Sequence, residues 1–262
     1  MNKLDATRLR ERADMPPTAA RATLAADDGT PIGSLEAELA HALRDAGFPL
    51  AADGDGWRVE APLTVALERI ARWLSAHRLG GRWRDELLPV CDDEGHVLGA
   101  IDRAVVRPLG IATHAVHLVG YTHDGRIWVQ QRALDKPVDP GRWDTLMGGL
   151  ISAGESVAQA LARETWDEAG LHIAQLTDVV EFARLTVRRP LEADGYMVEH
   201  MHCFAAGVPE GLVPVNQDGE VQRFEAVDAA ALEVHLRADA FTLEAALVLL
   251  NWLERGAGRA PV

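Results

Sequence analysis

Apolar residues along the chain follow two periodicities, and each predicts a different kind of element. A period near 3.6 residues predicts three helices, at residues 35–46, 62–77 and 242–254. Ser34 would cap the first of these helices, and Gly47 would end it. Short apolar or alternating runs between turn residues predict strands, at residues 87–91, 97–101, 115–121, 127–131, 143–148, 179–187, 197–206 and 221–227.

The order of these elements predicts two parts. Residues 1–110 form a small α+β module, and its first 25 or so residues, polar and rich in alanine and proline, are expected to be mobile. Residues 111–262 carry strands before and after a further helix and then a closing helix, which indicates an α/β sandwich with a mixed sheet. At 262 residues and 48% apolar residues, the chain can bury a sizeable core.

Composition excludes several classes of protein. A formal charge of −14 and a pI near 5.1 argue against partners such as nucleic acid or an anionic membrane. An anionic substrate would have to be met by metal ions or by a local basic patch. Cys91 and Cys203 lack the spacing of a zinc site or a disulfide framework. With neither a secretory signal nor an apolar run of about 18 residues, a cytoplasmic location is predicted.

Acidic residues concentrate in residues 149–171, where a further helix is predicted. Glu164, Asp167 and Glu168 would share one face of that helix, because positions three and four apart are neighbours. They lie in its last turn, where the helix dipole already disfavours negative charge. An oxygen-only cluster of this kind suits Mg²⁺ or Mn²⁺. At the other end, Ser152 with Glu155 would form a capping box, with Ser156 as a competing cap.

The same segment resembles the Nudix box, G-x5-E-x7-R-E-U-x-E-E-x-G-U, in which U is a bulky aliphatic residue. Seven positions match at the correct spacing: Gly149, Glu155, Arg163, Glu164, Glu168, Gly170 and Leu171. Two positions depart from the pattern. Thr165 replaces an aliphatic residue, and Asp167 replaces the first of the paired glutamates with a side chain one methylene shorter.

The resemblance implies a Nudix-type α/β/α sandwich and a metal-dependent hydrolase that cleaves a diphosphate bond with Mg²⁺ or Mn²⁺. It implies that Glu164 and Glu168 are the main metal ligands and catalytic carboxylates. The Gly149 carbonyl would contribute a further ligand, and Asp167 would bind the metal directly, through water or not at all. Glu164 is alternatively the general base, since the family does not use one base throughout.

Further roles follow from the same resemblance. The catalytic set includes Arg163, which together with Glu155 would orient the carboxylates. Arg132 and Lys136, at a strand end and in the next loop, would hold phosphate oxygens. Glu220 lies on a loop where some relatives place an additional ligand or base, and it joins the predicted substrate-binding set.

Outside the box, the chain resembles a branch of the family, the thiamine-pyrophosphokinase-associated Nudix hydrolases, which carry a small N-terminal module. This looser resemblance covers roughly residues 25–255 and rests on the features Trp83-Arg84-Asp85-Glu86, Val116-His117, Lys136 and Asp144. It implies a small-molecule substrate, a nucleoside diphosphate-like or thiamine diphosphate-like compound. A homodimer is common among such relatives.

Two other functions are compatible with the fold. One is an enzyme that resembles isopentenyl-diphosphate isomerase, although such isomerases use a cysteine near the position where this chain has Met147-Gly148-Gly149. The other is a diphosphate-ligand sensor without turnover. Sensors usually lose carboxylates of the box, and here only Asp167 departs.

Overall fold

The computed structural model describes residues 3–136, 138–191 and 195–256. Its helices in chain order are α1 (Lys3–Ala13), α2 (Ala37–Asp45), α3 (Leu63–Ala76), α4 (Val157–Ala169), α5 (Ala229–Arg237) and α6 (Leu243–Glu254). Its strands are β1 (Arg21–Ala25), β2 (Pro31–Glu36), β3 (Leu50–Asp53), β4 (Gly56–Val59), β5 (Leu87–Cys91), β6 (Val97–Asp102), β7 (Thr113–Tyr121), β8 (Ile127–Arg132), β9 (Trp143–Asp144), β10 (Met147–Leu150), β11 (Thr177–Leu191), β12 (Gly195–Gly207) and β13 (Val221–Val227).

The N-terminal module combines a sheet, a hairpin and two helices. Its four-stranded sheet has the order β2-β1-β4-β3, and β5 pairs with β6 in a separate hairpin. Helix α3 turns one apolar stripe toward the interior, so that Leu67, Ile70 and Leu74 are fully buried. These residues belong to a core of the module's own, distinct from the cores of the second domain.

The second domain is built on a seven-stranded sheet. Its main path has the order β11-β12-β7-β8-β13, with β10 paired to β7 and β9 paired to β8. Strands β7 and β12 run parallel, whereas β11–β12, β7–β8 and β8–β13 are antiparallel. The sheet is therefore mixed, as predicted.

Helices cover both faces of this sheet. On one face, α4 encloses a core that includes Val116, Leu146 and Leu161. On the other face, α6 and α1 enclose a core that includes Val129 and Met201. The architecture is the predicted α/β/α sandwich, preceded by a small module of strands and helices.

Residues 107–111 join the two parts, because they form backbone hydrogen bonds both to the N-terminal module and to the second domain. The carbonyl of Leu109 accepts from the N–H of Ser34 in β2 at 2.8 Å, and that of Arg107 accepts from the N–H of Tyr196 in β12 at 3.1 Å. Arg21 also donates to the Pro108 carbonyl at 2.6 Å. This bridging segment (residues 107–111) therefore fixes the module against the edge of the large sheet.

Some elements differ from the prediction. Ser34 does not cap a helix; it pairs with Thr23 within β2, and its hydroxyl accepts from Arg21 Nε at 3.0 Å. Helix α2 accordingly begins at Ala37. Strands β1, β2, β3 and β4 and helices α1 and α5 were not predicted. The sequence assigned the first 25 or so residues to the module as a mobile segment, whereas α1 packs on α6 of the second domain through Ala6 and Leu9.

Candidate active site

Helix α4 places the acidic residues at the edge of a cleft. Ser156 is its N-cap, and its hydroxyl accepts from the N–H of Gln159, whose side chain accepts in turn from the N–H of Ser156. Of the two serines considered from the sequence, Ser156 forms the capping box. Gly170 ends the helix with φ +63°, a conformation that suits glycine. Thr165 is fully buried, and its hydroxyl donates to the Leu161 carbonyl at 2.6 Å.

Arg163 connects this helix to the loop that precedes it. Its Nε and Nη2 donate to the two carboxylate oxygens of Glu155 at 2.6 and 2.8 Å, and Nη2 also donates to the Leu150 carbonyl at 3.1 Å. Its Nη1 lies 2.8 Å from Glu164 Oε1. The guanidinium lowers the pKa of Glu155. Arg163 thus contacts both Glu155 and Glu164.

Glu168 is the most buried carboxylate of the helix. Its Oε2 accepts from the N–H of Gly148 at 3.0 Å and from Gln130 Nε2 at 2.8 Å. Burial raises the pKa of Glu168 to about 8. Burial also raises the pKa of Glu164, an effect that the nearby Arg163 partly offsets. Both carboxylates are therefore held away from bulk water at a cost that a bound cation would relieve.

Gly149 and Asp167 occupy very different positions. Gly149 faces Glu164 so closely that a Cβ atom added there would overlap the Glu164 carboxylate. Asp167 is partly exposed and does not line the cleft; its Oδ2 lies 3.9 Å from Arg163 Nη1, and its carbonyl accepts from the N–H of Gln217 at 3.0 Å. Glu164, Glu168 and Gly149 are brought together on one wall, whereas Asp167 lies outside it.

The cleft has a volume of ≈ 340 Å³ and is bounded by both parts of the protein. The second domain supplies the wall with the carboxylates. The N-terminal module supplies a second part of the lining that is rich in arginine, the basic wall, formed by Arg82, Arg84, Arg103 and Arg107. The sequence did not identify this basic wall. Its residues are spread over two short segments that only the fold brings together.

The predicted phosphate-binding cations also line the cleft, each with a protein partner. Arg132 Nη1 lies 3.5 Å from Asp144 Oδ2, and its Nη2 donates to the Val138 carbonyl at 3.1 Å. Lys136 forms an ion pair with Glu220. Lys136 lowers the pKa of Glu220, although burial opposes the shift. These three side chains therefore line the cleft as paired groups.

Beyond Arg132, the cleft continues past a buried polar group that the sequence did not single out as functional. His117 Nδ1 lies 3.3 Å from Thr145 Oγ1 and 3.9 Å from Asp144 Oδ1. Further along, Glu199 accepts from Thr113 Oγ1 at 3.0 Å, and burial followed by the nearby Glu244 raises the pKa of Glu199 to about 7. Alternation along β7 and β12 aims these side chains into the same cleft.

The predicted metal ligands include suitable oxygen donors, but they are not already assembled as a cation site. Within residues 3–136, 138–191 and 195–256, no group of three or more His, Cys, Asp or Glu side chains is arranged to hold a metal ion. Asp167 lies outside the cleft and Arg163 pairs with Glu164, so the predicted set is not preassembled. Glu164, Glu168 and the Gly149 backbone nonetheless give the cleft the oxygen donors that Mg²⁺ and Mn²⁺ prefer. These residues fit a divalent cation.

Comparison with known proteins identifies the domain that carries this site. A model of the NUDIX domain matches residues 112–247, more than half of the chain. The chain belongs to the Nudix family. The matched residues include all of helix α4 and both strands, β7 and β12, that line the inner end of the cleft.

Individual Nudix relatives match over part of their length. A protein named "Nudix hydrolase 20, chloroplastic" of Arabidopsis thaliana is 31% identical over 179 residues, which are 66% of this chain and 47% of that protein. The chain thus spans about half the length of this relative and of a second Nudix hydrolase from the same plant. An isopentenyl-diphosphate Delta-isomerase of Agromyces mediolanus is 29% identical over 165 residues, 63% of this chain and 78% of the isomerase.

A solved structure is similar in fold. The DR0079 protein of Deinococcus radiodurans is 20% identical and covers 64% of this chain and 99% of its own, with a TM-score of 0.49.

In the part of this chain that the structure describes, no helix is both long enough and apolar enough to cross a membrane.

Proposed function

We propose that this Nudix protein is a divalent-metal-dependent hydrolase that cleaves a diphosphate linkage and releases a monophosphate. The substrate class is a nucleoside diphosphate-like or thiamine diphosphate-like compound. One observation carries the proposal: Glu164 and Glu168, one helical turn apart, line the same cleft beside Gly149, and Arg163 fixes one of them. The relative named as a Nudix hydrolase supports the reaction class.

The side chains around the cleft have two roles: some bind the metal ion, and others hold those ligands in place. Glu164 and Glu168 supply the anionic oxygens for Mg²⁺ or Mn²⁺, and a bound ion would neutralise phosphate oxygens and acidify a water molecule. Glu155 keeps Arg163 in place, so that Glu164 is held at one position. Phosphoryl transfer depends chiefly on positioning and charge stabilisation, which such a rigid arrangement provides.

A panel of diphosphates tests the proposal. Purified protein with Mg²⁺ or Mn²⁺ is mixed with thiamine diphosphate and its oxidised forms, nucleotide sugars, dinucleotides and nucleoside triphosphates, and the monophosphate product is measured. Glu168→Gln should lose about 100-fold or more of the activity. Glu210→Gln, an exposed glutamate outside the cleft, is the matched control and should retain it. Full activity in Glu168→Gln would refute the ligand role of that residue.

The isomerase relative makes isomerisation of isopentenyl diphosphate the second candidate. The side chains argue against it: Cys91 lies in the β5–β6 hairpin, Cys203 is buried in the core, and neither lines the cleft. Incubation with isopentenyl diphosphate decides the matter. Formation of the allylic isomer would favour isomerisation, and no isomer together with monophosphate release would favour hydrolysis.

A diphosphate sensor is the remaining alternative. Tight binding of diphosphates with no metal-dependent turnover across the panel would favour it. A cytoplasmic location, a homodimer and the absence of nucleic-acid or membrane partners stay predictions from the sequence, as does membership of the thiamine-pyrophosphokinase-associated branch.

A further inference from the structure

The three cations that the sequence placed at the site, Arg163 beside the carboxylates and Arg132 and Lys136 at the phosphates, are bound to protein groups. Arg163 forms a two-bond contact with Glu155 and also pairs with Glu164. Arg132 pairs with Asp144, and Lys136 pairs with Glu220. A guanidinium or ammonium that already has a carboxylate partner has less charge to offer a phosphate. The acidic wall of the cleft therefore needs its counter-charge from elsewhere.

Arg82 and Arg84 supply charges of the required sign. Both line the cleft and are exposed to it, and within the described parts of the chain neither forms an ion pair or a hydrogen bond. They differ in this respect from Arg103 on the same wall, whose Nη1 lies 2.8 Å from Glu86 Oε2. Two guanidinium groups that have no carboxylate partner among the described residues thus line the same cleft as Glu164 and Glu168.

The loop that carries these arginines is fixed at both ends. At its start, the N–H of Gly81 donates to the Ala104 carbonyl at 2.7 Å. At its end, the carbonyl of Leu87 accepts from the N–H of Ala153 at 2.8 Å. Ala153 lies in the loop before helix α4, between Gly149 and Glu155. The arginine loop (residues 81–87) is therefore attached directly to the loop of the Nudix box.

The residue between the two arginines anchors the loop. Trp83 packs against the core of the module, and its Nε1 donates to Asp85 Oδ1 at 2.6 Å. Arg82 and Arg84, on either side of this anchored residue, are exposed and line the cleft.

We propose that Arg82 and Arg84 of the N-terminal module bind the phosphate oxygens of the substrate, in the same cleft as the carboxylates of helix α4. The guanidinium fork matches two oxygens of one phosphate, and its charge offsets the repulsion between the substrate and the acidic wall. The proposal deepens the proposed function, on which it rests. It makes the module part of the substrate site. Some of the contacts that bind the substrate phosphates then come from outside the Nudix domain.

A binding experiment tests this role separately from catalysis. The probe is imidodiphosphate, a diphosphate analogue that is not hydrolysed, titrated calorimetrically into the full chain with Mg²⁺ present. Arg82→Gln and Arg84→Gln should each raise its Kd about tenfold, and the double variant should raise it more. Arg82→Lys should recover part of the affinity. Arg78→Gln is the matched control, since Arg78 is an exposed arginine of the same module that does not line the cleft.

The outcomes separate this proposal from the proposed function. Wild-type affinity in the double variant, or no binding of imidodiphosphate by the wild type, overturns the role of Arg82 and Arg84 even where hydrolysis is observed. Weakened binding in the variants supports the role even where no member of the panel is hydrolysed. Where hydrolysis is observed, the variants should raise KM for the diphosphate and leave kcat nearly unchanged, as loss of a binding contact does. An equal loss from Arg78→Gln would show that the effect comes from overall charge and would refute the assignment.

Discussion

At the scale of single residues, the site depends on a missing side chain as much as on the carboxylates. The Glu164 carboxylate occupies the space that a Cβ at position 149 would take. Any larger residue at position 149 would displace the Glu164 carboxylate, so glycine is favoured there by close approach and not by backbone conformation. The helical period places Glu164, Asp167 and Glu168 on one side of the helix, and Glu164 and Glu168 do line the cleft together. Asp167 does not line it, because the sequence alone does not show which part of that side borders the cleft.

Asp167 and Glu164 give a direct comparison at this scale. Asp167→Asn removes a carboxylate that does not line the cleft, so kcat/KM for the diphosphate found in the panel should stay within about threefold of wild type. Glu164→Gln removes a carboxylate that Arg163 holds inside the cleft, and kcat/KM should fall about 100-fold or more. Steady-state kinetics at saturating Mg²⁺ measure both. An equal loss in the two variants would place Asp167 in the metal site.

At the scale of elements, helix α4 shows why the sequence left two starting points open. Ser152 and Ser156 both precede the helix, and each is followed three residues later by Glu or Gln. The structure uses Ser156 with Gln159 as the capping box. The carboxylate of Glu155 is bound to Arg163 and accepts from the N–H of Ser152 at 3.0 Å. Glu155 therefore accepts from Ser152 as a capping box would, but its carboxylate is also bound to Arg163, and helix α4 begins only after Ser156.

Replacing each serine distinguishes the two caps. Ser156→Ala should lower the free energy of unfolding by about 1 kcal/mol, because the N–H of Gln159 loses its acceptor in the first turn. Ser152→Ala should lower it by much less, since Ser152 is not the N-cap. Urea denaturation followed by circular dichroism gives both values. A larger loss for Ser152→Ala would contradict the observed start of α4.

Some of the other elements could be predicted from the local sequence, and others become strands only because they pair with a neighbouring strand. Residues 87–91 and 221–227 were predicted to the residue, since apolar or alternating runs end there at turn residues. Strands β3 (Leu50–Asp53) and β4 (Gly56–Val59) have only four residues each, and half of these eight residues are alanine, glycine or aspartate, which have low strand propensity. Their strand conformation comes from pairing with each other and from the parallel contact of β4 with β1. Such pairing is not encoded in a local period.

At the scale of the whole molecule, the cleft exists only where the module meets the Nudix domain. The acidic wall could be predicted because it lies within one helix. The basic wall could not, because it depends on contacts such as that between Leu87 and Ala153, which are 66 residues apart in sequence (153 − 87). The bridging segment fixes the same junction from the other side. The cleft is therefore a property of the assembled chain, and so is the substrate recognition proposed for it.

Replacing Arg21 tests whether the attachment of the N-terminal module to the bridging segment stabilises the protein and supports substrate binding. Its side chain is 4% exposed and donates to Ser34 Oγ and to the carbonyls of Ser34 and Pro108, which joins β1 and β2 to the bridging segment. Arg21→Met leaves those acceptors without a buried donor, so the free energy of unfolding should fall by about 3 kcal/mol.

The matched control is Arg58→Met in the same sheet, because Arg58 is 35% exposed and its ion pairs with Asp53 and Glu60 are 3.7 and 3.5 Å long. Its unfolding free energy should change by less than about 1 kcal/mol. Since the bridging segment also positions Arg107 on the basic wall, Arg21→Met should raise KM for the diphosphate while Arg58→Met leaves it unchanged. Urea denaturation and steady-state kinetics on both variants measure these effects. Equal stability and equal KM in the two variants would show that the junction does not depend on Arg21 and that the module's position is fixed by backbone contacts alone.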